Sequence, residues 1–179
     1  MISENDGRFL LALARRTIEK TVKNKLPEKP QNYSASLDES RGVFCTINKI
    51  KKELRGCIGI PYPVMSIIDS TISAAQSVCS DPRFPPLQAN ELKEIKIELS
   101  ILTEPKTILW REILEKIQPH KDGVIIEYGP YSGLYLPQVW EHFPNKEDFL
   151  DNLCLKAGLG KGMWRNSKLS LFQVQIFKE

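Results

Sequence analysis

The chain has 179 residues, enough for one domain with a substantial core, and its 41% hydrophobic and 26% charged residues are typical of an ordinary globular protein. The formal net charge of +3, from 25 basic and 22 acidic residues, is too small to indicate nucleic-acid or membrane binding by itself. No apolar run approaches the roughly 20 residues of a membrane span. Because the amino terminus is acidic and lacks a cleavage site, it does not resemble a signal peptide, and we expect a cytoplasmic protein.

The first predicted element is an amphipathic helix near the amino terminus. Apolar residues recur at every fourth position from Leu10 to Val22, and Ser3 with Asp6 resembles a weak capping box. The basic residues lie largely off this stripe, namely Arg15, Arg16, Lys20 and Lys23. We interpret them as a solvated face, with contact to a polyanion as the alternative.

Two short strands and a second helix are predicted next. The segments GVFCTIN and ELRGCIGI, joined by a basic turn from Asn48 to Lys52, are typical of a hairpin. Pro63 suits the first turn of a helix over roughly Val64 to Ser80. The prolines of DPRFPPL then end that helix.

The second half of the chain is predicted to contain further strands and two helices. IKIELSI alternates apolar with polar residues and predicts a half-buried strand. WREILEKI predicts a short helix, GPYSG a hairpin turn, and LSLFQVQIF a final strand. Another helix is expected to begin after the cap Asn145 and to end at Gly158. Paired, alternating strands favour an α+β fold with an antiparallel sheet and helices packed on it.

The stretch LRGCIG contains the first candidate site. Because side chains alternate along a strand, Arg55, Cys57 and Gly59 are expected on one face, with Leu54 and Ile58 on the core face. A guanidinium beside Cys57 would lower the pKa of the thiol and favour the nucleophilic thiolate. The alternative is that Gly56 and Gly59 mark close backbone packing or a bend, and that Arg55 pairs with an acid.

The proline-rich loop contains the second candidate site. Asp81 and Arg83 follow a helix directly, where rigid loops often display binding groups, and Phe84 is expected to anchor the loop. The alternative is a stiff turn in which the two charges pair. Neither His120 nor His142 stands at ligand spacing from a cysteine or an acid, so we predict no structural zinc site.

Six segments in this order resemble the AMMECR domain family: LRGCIG, DPRFPPL, IELSILTEP, KDGVIIEYG, GLYLPQVW and FLDNLCLKAGL. The resemblance implies a single domain over residues 1–179 with two lobes. The larger lobe would contain both chain ends, the smaller would be inserted, and a cleft between them would hold the site.

The resemblance also implies which residues form the site. It points to Arg55 and Cys57, for which we predict catalytic roles, and to five further residues for which we predict binding roles: Asp81, Arg83, Glu98, Gln138 and Lys156. The family itself implies no established activity. Relatives often read G-[KR]-D-G where this chain has His120, so His120 is not expected to be catalytic. Family members occur beside Memo-type and radical-SAM proteins, which implies such a protein as a partner.

Three functions remain open at this point. The first is an enzyme or small-molecule binder that uses a polar cleft around Arg55 and Cys57, with Cys57 reacting at unusually low pH. The second is a non-catalytic adaptor that docks a Memo-type or radical-SAM protein. The third and weakest is nucleic-acid binding through the basic helix and the turn lysines Lys49, Lys51 and Lys52. The sequence identifies neither a substrate nor a cofactor.

Overall fold

The computed structural model describes residues 1–51 and 53–179, so Lys52 of the predicted turn lies outside the described residues. Its α-helices are α1 (Glu4–Val22), α2 (Ile67–Ser77), α3 (Trp110–Lys116) and α4 (Lys146–Lys156). Its strands are β1 (Val43–Lys49), β2 (Leu54–Ile60), β3 (Ile95–Leu102), β4 (Lys106–Ile108), β5 (Asp122–Tyr128), β6 (Tyr131–Tyr135) and β7 (Lys168–Lys178). The described strand pairs are antiparallel, which confirms the predicted α+β class.

The chain forms two compact units. The first contains Met1–Leu102 and Gln175–Glu179, and the second contains Thr103–Val174. Both chain ends therefore lie in the first unit, and the second is an insertion. The cleft that the resemblance implies stays a prediction.

Helix α1 forms as predicted. The Ser3 hydroxyl accepts a hydrogen bond from the Asp6 amide at 3.1 Å, which satisfies one of the amides that a helix start leaves unpaired. Leu10, Ala14 and Ile18 are fully buried in the core of the first unit. The four-residue spacing of these apolar side chains thus determines which face packs inward.

Helix α2 begins later than predicted. Its N-cap is Ser66, whose hydroxyl accepts a hydrogen bond from the Asp69 amide at 3.1 Å. The predicted start at Val64 is wrong, and this side chain is 68% exposed. A serine followed three residues later by an aspartate is a stronger start signal here than Pro63. After Ser77 the chain continues as a short 3₁₀ turn to Ser80.

The sheet of the first unit has the order β2-β1-β3, with the C-terminal end of β7 beside β3. Val43, Cys45 and Ile47 of β1 are buried in the core, where α1 and α2 pack. Because side chains alternate along a strand, Phe44 and Thr46 face the opposite side. Thr46 lies opposite Cys57 of β2 and opposite Glu98 of β3.

The second unit has its own antiparallel strands and its own core. Strand β7 pairs with both β5 and β4, and β6 pairs with the other edge of β5. In the core the rings of Trp140 and Phe149 stack with centroids 3.8 Å apart. Asn145 caps α4 as predicted, and Gly158 has the positive φ of 80° that favours glycine after a helix.

Arg15 is not part of a solvated face, because it joins α1 to the C-terminal residue. Its Nε donates to the Glu179 carboxylate at 2.9 Å, and its Nη1 and Nη2 donate to the carbonyls of Leu92 and Ile95 at 3.0 and 3.1 Å. The Glu179 carboxylate also accepts from the Ile97 amide at 3.0 Å. The interpretation of Arg15 as solvated is therefore wrong.

We expect Glu179→Gln to lower the free energy of unfolding by about 1–2 kcal/mol, because a charge-assisted pair that is largely shielded from water loses its ionic partner. Urea denaturation measures this change. Glu28→Gln is the control, since the Glu28 carboxylate pairs with Lys20 but is 83% exposed. Equal midpoints for Glu179→Gln and the wild-type chain would contradict this role of Glu179.

Among residues 1–51 and 53–179, no helix has the length and apolar composition needed to cross a membrane.

Candidate functional site

Arg55 lies at a β-bulge. Ile47 of β1 pairs with Gly56 and Asn48 pairs with Leu54, so Arg55 has no direct partner on β1. The simple alternation that we expected through this stretch is therefore wrong at its start, and Leu54 is 42% exposed instead of facing the core.

The Arg55 guanidinium forms an ion pair with Glu91. Nε and Nη2 donate to the two Glu91 oxygens at 2.7 and 2.9 Å, and Nη2 also donates to the Pro85 carbonyl at 2.9 Å. The hydrogen bond from Arg55 lowers the pKa of Glu91. Glu91 in turn accepts a hydrogen bond from the Gln88 amide at 2.8 Å. Arg55 therefore connects β2 to the segment that follows the proline-rich loop, which is the structural alternative considered above.

Cys57 lies on the side of the sheet opposite the helices, in a row with Thr46 and Glu98. We call these three side chains the thiol row. The Thr46 hydroxyl donates to Cys57 Sγ at 3.1 Å. Cys57 is partly exposed, whereas Cys45, Cys79 and Cys154 are buried, and all four are free thiols. Cys57 is therefore the cysteine that a ligand can reach without unfolding of the chain.

Asp81 and Arg83 form an ion pair beside Cys57. The Asp81 carboxylate is 2% exposed and accepts four hydrogen bonds: from the Cys57 amide at 2.9 Å, and from the amide, Nε and Nη2 of Arg83 at 3.0, 3.0 and 2.6 Å. The hydrogen bond from the Arg83 side chain lowers the pKa of Asp81 to about 2. Arg83 Nη2 also donates to the Cys57 carbonyl at 3.0 Å. The two charged residues therefore hold both backbone groups of Cys57.

Phe84 is half-buried beside both arginines, and its role as the anchor of the loop stays a prediction. The guanidinium carbons of Arg55 and Arg83 lie 5.9 and 5.6 Å from the centre of its ring. Both distances are within the range of a cation–π interaction. The aromatic ring thus lies near Arg55 of β2 as well as near Arg83 of its own loop.

The pKa of Cys57 is raised instead of lowered. Burial is the main cause, and the hydrogen bond from Thr46 and the charge of Arg83 oppose it, while Asp81 and Glu98 add to it. The expected lowering by Arg55 is wrong, because that guanidinium is bound to Glu91. The raised pKa favours the protonated thiol at neutral pH and argues against the expected reaction at unusually low pH. The catalytic roles of Arg55 and Cys57 stay predictions.

Two glycines of LRGCIG allow close packing. A Cβ on Gly56 would lie 3.0 Å from Val78 Cγ2 and 3.1 Å from the Val78 carbonyl oxygen, which confirms that another segment approaches the backbone there. A Cβ on Gly59 would lie 2.4 Å from both Phe44 Cγ and the Val43 carbonyl oxygen. The bend expected at Gly59 is absent, because Gly59 pairs in regular register with Phe44 of β1.

The remaining predicted binding residues lie in different units. Glu98 belongs to the first unit, where its carboxylate pairs with Lys178 at 2.8 Å. Gln138 and Lys156 belong to the second unit. Lys156 Nζ donates to the Leu134 carbonyl at 2.8 Å and lies 5.0 Å from the centre of the Tyr135 ring. The first unit thus brings together five of the seven residues, and the roles of all seven stay predictions.

Thr46 and Glu91 were not identified from the sequence as partners of the candidate site residues. Thr46 occupies an outward position of β1, so the predicted hairpin would have placed it near Cys57 if its register had been assigned. Glu91 lies 36 residues from Arg55, and nothing in the local pattern joins them. Among the described residues, no cluster of three or more His, Cys, Asp or Glu side chains is arranged to hold a metal ion.

The fold and site together define an α+β protein with an antiparallel sheet and a partly exposed thiol held between paired charges. The chain belongs to the AMMECR1 family, whose model matches residues 11–177. Protein MJ0810 of Methanocaldococcus jannaschii is 44% identical, covering 100% of this chain and 92% of its own length. A protein of Thermofilum pendens is 42% identical over 99% of this chain and 92% of its own.

A solved structure agrees with the fold. The crystal structure of the uncharacterised protein PH0010 from Pyrococcus horikoshii superimposes with a TM-score of 0.93 at 40% identity. The match covers 99% of this chain and 93% of that one. The resemblance seen in the sequence is thereby confirmed at the level of family and fold.

Proposed function

We propose that the protein binds a small molecule over the thiol row, with an oxygen atom of the ligand on Arg83 and with the Cys57 thiol as contact or nucleophile. The observation that carries the proposal is the placement of one partly exposed thiol, bonded to Thr46 at 3.1 Å, beside a guanidinium bonded to the carbonyl of the same residue. No other cysteine combines exposure with a nearby cation in this way, since the other three are buried.

Arg83 supports the choice of an oxygen-bearing ligand. Its side chain is 55% exposed, although its partner Asp81 is almost fully buried. Nε and Nη2 face Asp81 and the Cys57 carbonyl, and within the described chain Nη1 has no hydrogen-bond partner. A carboxylate or carbonyl oxygen can therefore accept a hydrogen bond from Nη1 without breaking the ion pair.

The chemistry of Cys57 follows from its surroundings. Since burial raises the pKa of this thiol, it can donate a hydrogen bond to a ligand at neutral pH, and it becomes a nucleophile only after losing its proton. The Thr46 hydroxyl and the Arg83 charge both favour the deprotonated form. A ligand that reacts with Cys57 would thus meet a thiolate stabilised by one hydroxyl and one cation.

Four further roles are proposed chiefly on the resemblance. Arg55 retains a proposed catalytic role, and Glu98, Gln138 and Lys156 retain proposed binding roles. For Glu98 the position beside Thr46 adds support, because its carboxylate forms the far end of the thiol row. For Arg55 the ion pair with Glu91 makes direct contact with the ligand the less supported form of that role, and a positioning role the better supported one.

Alkylation with a matched pair of reagents tests the site. Iodoacetate carries a carboxylate and iodoacetamide does not, and in both cases the Cys57 thiolate attacks the methylene carbon, forms a carbon–sulfur bond and expels iodide. We expect Arg83→Gln to reduce the iodoacetate-to-iodoacetamide rate ratio at Cys57 about threefold to tenfold, because the anion loses a cation that steers it. Mass spectrometry of the labelled peptide measures the ratio.

Arg83→Lys and Arg8→Gln are the controls. Arg83→Lys keeps a charge beside Cys57 and should retain most of the preference for iodoacetate. Arg8 lies on the exposed part of α1, and its replacement removes one positive charge without touching the site. An unchanged ratio in folded Arg83→Gln would show that Arg83 does not receive a ligand anion.

The adaptor alternative is supported by exposed apolar side chains at the β1–β2 hairpin. Ile50 is 62% exposed and Leu54 is 42% exposed. A Memo-type or radical-SAM partner that docks there would lose binding with Ile50→Asp and tolerate Cys57→Ser. The small-molecule proposal requires that Cys57→Ser weakens ligand binding and that Ile50→Asp leaves it unchanged.

Nucleic-acid binding has less support. Arg15 and Lys20 of the basic helix pair with Glu179 and Glu28, and Lys49 lies near Glu53, so these charges are partly neutralised within the chain. The free thiols favour a reducing compartment, and on that ground we propose that the protein acts in the cytoplasm.

A further inference from the structure

The second unit contains a groove that is independent of the thiol row. It has a volume of about 590 Å³ and lies between strand β4, helix α3 and residues 171–173 of β7. This volume is within the range of small-molecule sites. Its apolar surface comes from Ile108, Leu109, Leu171 and Phe172. A groove of this size and surface accommodates the apolar part of a small metabolite.

Asp122 lies in the wall of this groove and is 5% exposed. Its carboxylate accepts hydrogen bonds from the backbone amide of Gln118 and from the side-chain Nε2 of Gln173, each at 2.8 Å. The backbone of Asp122 is also fixed, since its carbonyl accepts from Trp140 Nε1 at 2.8 Å. The carboxylate is thus held in one orientation by neutral donors only.

No lysine, arginine or histidine of the described chain forms an ion pair with Asp122. A buried carboxylate is usually paired with a cation. The groove wall contains two lysines, and Lys116 is paired with Glu112 at 2.6 Å. The single remaining positive charge, on Lys106, stands against two negative charges, on Glu104 and Asp122. The groove therefore has an excess of negative charge whose most buried member is Asp122.

We infer that this groove binds a small organic cation, with an amine or guanidinium directed at Asp122 and an apolar body against Ile108, Leu109 and Leu171. Each carboxylate oxygen has a second lone pair, so a ligand N–H can add to Asp122 without displacing Gln118 or Gln173. The Thr103 hydroxyl accepts a hydrogen bond from the backbone amide of Gln173 at 2.9 Å, and the hydroxyl proton can be donated to a polar group of the ligand.

A matched pair of probes tests this inference. Benzylamine is cationic at neutral pH, and benzyl alcohol is a neutral molecule of nearly the same shape. We expect benzylamine to bind with millimolar affinity, as is usual for a ligand of this size, and at least about tenfold more tightly than benzyl alcohol. A ¹H–¹⁵N NMR titration of the full chain should place the shifted amides in β4, α3 and residues 171–173.

Two variants distinguish this site from nonspecific binding. Asp122→Asn should remove the preference for benzylamine, whereas Glu104→Gln, at an exposed position of the wall, should reduce the affinity only about twofold because exposed charges contribute little. If Asp122→Asn does not fold, Thr107→Lys replaces it, because Thr107 lines the groove from an exposed position and a lysine there supplies a competing cation.

Equal binding of the two probes would overturn the inference, as would amide shifts confined to other parts of the chain. Retention of the preference for benzylamine over benzyl alcohol in folded Asp122→Asn would overturn it too. Where that variant does not fold, unchanged benzylamine affinity in Thr107→Lys would overturn it instead. None of these outcomes affects the proposal for Cys57, because the groove and the thiol row lie in different units and are read by different probes.

Discussion

Asp81→Ala is expected to lower the free energy of unfolding by about 3 kcal/mol, because it leaves buried donors without an acceptor. The lost carboxylate accepts from the Cys57 amide and from three nitrogens of Arg83, and it is 2% exposed. Urea denaturation measures the change, with Asp38→Ala as the control, since Asp38 is exposed and accepts one hydrogen bond from Tyr33. Equal losses in both variants would contradict the role of Asp81.

The stabilisation of the fold by the Asp81 carboxylate is expected to depend on pH. The pKa of Asp81 is about 2 in the folded chain, below the ordinary value of about 3.9 for an unfolded chain. A lowered pKa stabilises the folded state at pH values above the unfolded pKa, by about 2–3 kcal/mol here, and this contribution is lost as the pH falls from about 4 to 2. The stability difference between the wild-type chain and Asp81→Ala should therefore narrow over that interval. A constant difference would show that Asp81 stabilises the fold without its charge.

Gly59→Ala is expected to destabilise the first unit by about 3 kcal/mol or more, because the new methyl group has no space. Its carbon would lie 2.4 Å from the Val43 carbonyl oxygen and 2.5 Å from Phe44 Cα, and these backbone atoms belong to the neighbouring strand. Separation of β1 from β2 is the only relief, and it would weaken the strand pairing that positions Thr46 against Cys57.

Thermal unfolding of Gly59→Ala and Gly160→Ala measures this effect. Gly160 is the matched control, since the nearest atom to its added methyl would lie 4.0 Å away. We expect a change within about 1 kcal/mol for the control. A melting temperature for Gly59→Ala equal to that of the control would show that the hairpin has more freedom than this packing implies.

The residues of LRGCIG differ in what they contribute to the protein. Gly56 and Gly59 allow close packing, and Arg55 is bound to Glu91, so most of the segment serves the fold. Cys57 differs because its sulfur is partly exposed on the side of the sheet opposite the core. The segment thus combines residues that serve the fold with one partly exposed side chain.

The sequence predicted the elements whose signals are local. The apolar spacing from Leu10 to Ile18 determined α1, the alternation of IKIELSI determined β3, and Asn145 determined the start of α4. The start of α2 was predicted wrongly, because Pro63 and Ser66 are competing signals only three residues apart. The paired strands also gave the antiparallel α+β class, since alternation along a strand depends only on the backbone.

The partners of the charged side chains were decided by tertiary structure alone. Arg55 pairs with Glu91 and Arg15 with Glu179, at separations of 36 and 164 residues. A guanidinium accepts any carboxylate within reach, so local sequence cannot select its partner, whereas the side-chain period of a helix or strand is fixed by its own backbone. The sequence by itself therefore determined the elements, the family and the cysteine of interest. Only the packed chain decided that the cation beside Cys57 is Arg83, and that burial raises the pKa of its thiol.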